Sequence, residues 1–215
     1  MRLLTYYTDT HENMYENFLK KSCTYFNEYE ITSLKGDQIS KDGSFYSKGF
    51  NDTVYQKIDF VLRNNSWDNP NEIVLFSDAD VVFLKPTKQF ILENMNDHDM
   101  VFQSDLTSFN TGVYAFRNND KVKKLMETTI SISKNHYGEQ LALNHALHNS
   151  GIICKAFDKR IFNISHYNGG KVWNNEDTIH FPKNIMAFHA NFIIGVSNKE
   201  KALKMACNRF LKEII

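Results

Sequence analysis

The stretch Glu72-Ile-Val-Leu-Phe-Ser-Asp-Ala-Asp-Val-Val-Phe-Leu-Lys-Pro86 limits the possible folds of this chain more than any other. An apolar run stops at two aspartates and resumes as a second apolar run. Ile73 to Phe76 is too short for a buried helix and is β-branched at its start, so it predicts a fully buried strand of a mixed or parallel sheet. Asp78 and Asp80 then fall at its carboxyl end, where open α/β sheets bind their ligands. If the segment stays extended, the two carboxylates point the same way, and Ala79 lets the backbone pass close to whatever they hold. A divalent cation relieves their repulsion, and carboxylate oxygens suit hard ions such as magnesium or manganese. An acidic turn between two strands would read the same over these three residues. The buried strands on either side argue for the ion site.

Lysine plus arginine and aspartate plus glutamate both number 25, so no basic excess points to nucleic acid or to an anionic membrane. At 215 residues and 42% hydrophobic, the chain predicts one domain, spanning 1–215. Cys23, Cys154 and Cys207 are odd in number and lack metal-ligand spacing, which fits reduced thiols in a cytosolic protein. Met1 leads directly into a strand-like run with no signal peptide or membrane anchor. The expectation is a soluble, cytoplasmic protein without a transmembrane segment, its oligomeric state open.

Leu3 to Thr8 reads as a first strand. Asp9 and Glu12 have the spacing of an N-cap and its reciprocal partner, opening a helix through about Phe26. The turn between them, around Tyr7 and Thr8, lies beside a helix amino terminus and suits a nucleotide, although a glycine-rich dinucleotide fingerprint is absent. After a short strand from Glu30 to Ser33, Gly36, Gly43 and Gly49 punctuate a polar segment that reads as a mobile lid. Asn51 to Asn64 predicts a helix with Val54, Ile58, Val61 and Leu62 facing the core. Lys57 is on a neighbouring face, solvated or within reach of a base, ribose or phosphate.

Met100 to Gln103 is a further strand ending in polar Gln103, Ser104 and Asp105, and Asn110-Thr111-Gly112 feeds another, with Gly112 permitting close approach to a ligand. Helices are expected over Asp120 to Ser131 and Glu139 to about Asn149, the second with Gln140 at its inward-facing tip. His145 and His148 are three apart, as zinc ligands can be, but no third ligand is near in sequence. Short strands are expected at Ile152 to Phe157 and Ile161 to Ile164, then a long polar loop with Tyr167 and Trp173. A last strand from Ile185 to Ala190 carries His189. Asn198 reads as the cap of a terminal helix with Leu203, Ala206, Phe210 and Ile214 on one stripe.

In this order, Ser77-Asp78-Ala79-Asp80, Phe109-Asn110-Thr111-Gly112, Glu139-Gln140, and His189 with Gly195 and Lys199, the chain resembles nucleotide-diphospho-sugar transferases of the GT-A fold. It is similar in particular to compact glycosyltransferases related to bacterial galactosyltransferases, glycogenin and plant xylosyl and arabinosyl transferases. The resemblance implies a Rossmann-like α/β domain with a mixed, mostly parallel sheet flanked by helices. It also implies transfer of a sugar from a nucleotide-diphosphate donor, foremost a UDP-sugar, to a hydroxyl acceptor such as a glycan.

By that resemblance Asp78 contacts ribose and metal, and Asp80 and His189 complete the protein ligands of manganese or magnesium. Lys199 and Gly195 serve the diphosphate, although the lysine-proline-tryptophan usual after that glycine is missing. Tyr6, Tyr7, Thr8 and Lys57 fall on the nucleotide side. Asn110, Thr111, Glu139 and Gln140 fall at the donor sugar, with Gln103 and Asp105 as further hydroxyl-binding candidates, because amides and carboxylates read hydroxyls through directed pairs. Glutamine is a poor nucleophile, so retention through an oxocarbenium-like ion pair is slightly favoured. Inversion would need Glu139 or Asp105 as a base. Tyr167 and Trp173 are expected to cover the apolar face of the acceptor, the alternative being that Trp173 packs under its own loop.

Two other readings compete. Asp78-Ala79-Asp80-Val81-Val82 also fits the start of a haloacid-dehalogenase phosphatase, with Asp78 as nucleophile. A non-catalytic sugar-nucleotide binding module would keep the fold and the metal.

Overall fold

The computed structural model describes residues 1–43, 47–133, 138–166 and 170–211. Its strands are β1 (Arg2–Tyr7), β2 (Glu30–Lys35), β3 (Ile73–Ser77), β4 (Val81–Phe83), β5 (Met100–Asp105), β6 (Ser108–Arg117), β7 (Cys154–Ala156), β8 (Ile161–Asn163) and β9 (Ala187–His189). A central sheet has the order β2-β1-β3-β6-β5-β7. β1 is parallel to β2 and β3, and β5 to β7, whereas β6 is antiparallel to both of its neighbours. This is the mixed, mostly parallel α/β sheet that the resemblance implies.

Side-chain alternation divides the core around that sheet. Leu4, Val74, Phe76 and Phe102 pack beneath the helix Phe50–Asn64, through Ile58 and Val61, and beneath Asp120–Ser133, through Val122 and Met126. Leu3, Leu75 and Val101 face the other way, onto Tyr15, Leu19 and Cys23 of the first helical segment and onto Phe90 and Ile91 of the helix Lys88–Met95. Among the described residues no helix is long and apolar enough to cross a membrane.

After Asp80 the chain leaves the central sheet. Both edges of β3 are already paired, to β1 and β6, so the second apolar run has no partner there. It becomes β4 of a three-stranded sheet, antiparallel to β9, which is parallel to β8. The strand carrying His189 therefore does not join the central sheet. Phe162, Phe188, Leu203 and Ala206 join this sheet to the helix Val196–Phe210.

Two predicted caps are corrected. Asp9 and Glu12 do not form a reciprocal cap: Asp9–His11 is a 3-10 turn without a side-chain cap, and both carboxylates bind Lys35 Nζ, at 2.8 and 2.9 Å. A cation from β2 offers them a stronger partner than a backbone amide. The following helix also contains a π-helical stretch, Tyr15–Lys20. At the last helix Gly195 takes the cap position with φ +89°, and Asn198 lies inside, donating to Ile194 O at 3.0 Å. Tyr167 and Ile214 lie outside the described residues, as does part of the predicted Gly36 to Gly49 lid.

Candidate active site

Asp78-Ala79-Asp80 is a turn between the two sheets rather than an extended segment. Its backbone is pinned on both sides, Asp78 N donating to Gly112 O at 2.6 Å and Ala190 N to Asp80 O at 2.9 Å. Pairing of Val81 with His189 brings the imidazole to the same turn. One ligand atom from each of Asp78, Asp80 and His189 lies within 4.8 Å of the others. His189 Nε2 is 3.3 Å from Asp80 Oδ1 and 3.9 Å from Asp78 Oδ2. Its Nδ1 meets Gln103 Oε1 at 2.7 Å, which turns the Nε2 edge of the ring to the carboxylates. A Cβ at Gly112 would run into His189 Cε1 and come 2.9 Å from Asp78 Oδ2, so glycine is what lets the ring in. Two carboxylates and one imidazole form a donor set that fits manganese or magnesium.

Each aspartate has its own lysine. Lys57 Nζ lies 3.0 Å from Asp78 Oδ1 and 2.7 Å from Glu139 Oε1, and Lys199 Nζ lies 2.6 Å from Asp80 Oδ2. Lys57 is buried, neither solvated nor free to swing. Burial opposes its charge, but Asp78 and Glu139 outweigh that and hold the ammonium above its ordinary range. For Asp80 burial works against ionisation, yet Lys199 and His189 hold the carboxyl well below the usual carboxylate range. Asp78 goes the other way, because burial raises it and Lys57 only partly compensates. The pair is thus split into a firmly ionised and a more basic carboxylate.

Beside this cluster lies a network of amides. Gln140 Oε1 accepts from Asn110 Nδ2 and Thr111 N at 3.2 and 3.3 Å, and Gln140 Nε2 donates to Asp105 Oδ2 at 3.2 Å. Thr111 Oγ1 donates to Glu139 Oε1 at 2.9 Å, so both base candidates, Glu139 and Asp105, are engaged. Gln103 is fully buried and holds His189 instead of facing the open site. Asn163 and Asn191, which carry no motif in the sequence, both donate to Asp105. Their only signal is proximity in sequence to β8 and to His189.

The remaining predicted residues divide. Tyr6 points to the helix Phe50–Asn64, where its hydroxyl donates to Gln56, and Thr8 is buried in the turn above it. Tyr7 projects from the opposite face and stacks on Tyr15 at 4.3 Å, so only its backbone reaches the turn. The turn also places His11, missed in the sequence, near Asp80 and Lys199; burial, with Lys199 adding, pushes its pKa down to about 4. Trp173 is not an open platform: it is 6% exposed, packs in the core of the smaller sheet, and donates from Nε1 to Asp177 O at 2.9 Å. A loop that lies against the apolar core of the small sheet gains more by burying the indole there than by displaying it.

A family model described as nucleotide-diphospho-sugar transferase matches residues 3–203. None of the curated proteins compared matches the sequence. Among solved structures, a glycosyltransferase involved in glycosylation of the major capsid of PBCV-1 is similar with TM-score 0.66 and 11% identity, over 95% of this chain and 100% of that one. The galactosyltransferase LgtC, solved with donor and acceptor sugar analogues, is similar with TM-score 0.59 and 14% identity, over 97% and 96% of the two chains. Mouse xyloside xylosyltransferase 1 is similar with TM-score 0.51 and 10% identity, over 88% and 97%.

Proposed function

The chain belongs to the nucleotide-diphospho-sugar transferase family, and from that membership we propose that it transfers a sugar from a UDP-sugar to a hydroxyl of a glycan acceptor, with manganese or magnesium held by Asp78, Asp80 and His189. The observation that carries this reading is the convergence of those three ligand atoms within 4.8 Å at the carboxyl end of β3, between the buried Lys57 and the half-buried Lys199. The phosphatase alternative loses its support, since the family match spans both sheets and the motif lies on the third strand rather than the first.

A bound divalent ion supplies charge neutralisation at the diphosphate as the glycosidic bond breaks. The rest is done by this chain's residues. Lys199, in the first turn of the helix Val196–Phe210, is placed to exchange Asp80 for a diphosphate oxygen, and the backbone after Gly195 adds the positive end of a helix. Tyr6, Thr8 and the Tyr7 backbone line the nucleoside side, while Lys57 ties Asp78 to Glu139 next to ribose and sugar. Asn110, Thr111 and Gln140 present directed polar groups to sugar hydroxyls. Glu139 is held by Lys57 and Thr111, and Asp105 by amides, so neither carboxylate is free to take a proton from an acceptor. That favours retention, with the Gln140 amide beneath the anomeric carbon.

The test is a panel of UDP-glucose, UDP-galactose and UDP-xylose, assayed for UDP release with manganese and with chelator. Metal-dependent release from at least one donor is expected, faster when a sugar acceptor is added. Binding without turnover would favour the non-catalytic module, and metal-independent turnover would contradict the ion site.

A further inference from the structure

The Asp105 carboxylate is surrounded by four side-chain amides from four segments of the chain. Oδ2 accepts from Asn110 Nδ2 at 2.7 Å and Gln140 Nε2 at 3.2 Å, and Oδ1 from Asn163 Nδ2 at 2.9 Å and Asn191 Nδ2 at 3.2 Å. A carboxylate has about four lone-pair sites and can only accept. Each amide must therefore turn its NH2 toward Asp105 and its carbonyl away.

For Asn110 this aims Oδ1 at Gly112 N, 2.7 Å away, beneath the His189 ring. For Asn163 it aims Oδ1 at Ser165 Oγ, which donates to it at 2.5 Å. For Gln140 it fixes which end of a nearly symmetric group faces Asn110 and Thr111. Gln140 is half-buried whereas Asp105 is 7% exposed, so the amide can meet a ligand and the carboxylate is behind it.

We infer that Asp105 is a positioning residue: it sets the orientation of the Gln140 amide, and Asn163 and Asn191 hold Asp105 in turn. The smaller sheet and the segment after β9, which also carries His189, thereby control a group on the helix Glu139–Leu147. This rests on the reading that places Gln140 at the donor sugar. It assigns Asp105 a role other than that of general base, because its lone pairs are already occupied.

Asp105→Asn keeps the shape but offers one oxygen and one NH2, so amide donors now face a donor and Gln140 is free to turn over. Using the best donor of the UDP-sugar panel, kcat is expected to fall about 100-fold, the scale of a misplaced group at a reacting centre. The dissociation constant of UDP with magnesium stays as in the parent, and the pH profile of kcat keeps its shape. Loss of the acidic limb of that profile would make Asp105 a base and overturn the inference. In a Gln140→Ala background Asp105→Asn should cost far less than in the parent, because Asp105 acts chiefly through Gln140. Losses that add fully sink this inference alone, whereas a Gln140→Ala enzyme as fast as the parent removes the assignment of Gln140 and the inference together. Asn191→Ala, at a partly exposed position outside the strands, repeats the cycle should Asp105→Asn fail to fold. It is expected to slow kcat several-fold in the parent and far less without Gln140, and equal slowing in both backgrounds would overturn the inference.

Discussion

Lys199 Nζ lies 2.6 Å from Asp80 Oδ2, so the first turn of the helix Val196–Phe210 neutralises an aspartate that lies 119 residues earlier. On the reading proposed above, a divalent ion would compete with Lys199 for Asp80 until a diphosphate gave the ammonium another partner. Lys199→Ala should therefore bind manganese more tightly than the parent in the absence of nucleotide. The same substitution should lower kcat for UDP-sugar turnover by about 10- to 100-fold through loss of a charge aimed at the leaving group. Titration with the metal alone, followed by steady-state kinetics, reads both effects, and weaker metal binding by the variant would contradict the exchange.

Gly112→Ala adds a Cβ that collides with His189 Cε1 and crowds Asp78 Oδ2. The ring must tilt out of the cluster, and Asn110 Oδ1, 2.9 Å from the new Cβ, must also give way. Metal-dependent UDP affinity is expected to drop at least 10-fold with the circular dichroism spectrum unchanged. Parental affinity would show that His189 tolerates displacement and does not ligate.

Lys57 holds two acidic groups at once, Asp78 and Glu139, with its own side chain 11% exposed. Lys57→Met keeps the bulk and removes the charge, leaving the two carboxylates without the cation they share. Breaking a buried pair from one side costs about 3–5 kcal/mol. Urea unfolding should register a loss of that size, and Glu139→Gln on top of Lys57→Met should recover part of it by removing one of the stranded charges.

How much of this was legible follows from where the information lies in the chain. The β3 strand is a local pattern and lies where its periodicity indicates, with the two aspartates at its carboxyl end as a turn rather than an extended segment, and Asn110-Thr111-Gly112 lies inside β6 rather than before it. His189 and Lys199 were reachable only through the order of motifs, and the structure explains why: antiparallel pairing of β4 with β9 joins distant segments. Asn163 and Asn191 were invisible because a single asparagine on a short strand or loop has no spacing to read. The Asp9 cap and the Trp173 platform failed for a common reason. A nearby tertiary partner, Lys35 in one case and the core of the smaller sheet in the other, outweighs the local preference.

His11 provides a test of the site by pH. Its pKa drops from 6.5 to about 4 on folding, so the folded chain prefers the neutral ring. That contribution is complete above the unfolded value and is lost as pH falls from 6.5 towards 4, amounting to at most about 3 kcal/mol. Urea unfolding across this window should show a steeper loss of stability in the parent than in His11→Gln. Parallel curves would mean that the ring is solvated.

The most direct test of the central claim is calorimetric titration of UDP into the protein with manganese, with chelator, and with Asp80→Ala in manganese. Affinity in manganese should exceed that in chelator by at least 10-fold, and Asp80→Ala should behave in manganese as the parent does in chelator. Equal affinity in all three titrations would contradict the claim that Asp78, Asp80 and His189 hold a metal for a nucleotide-sugar donor.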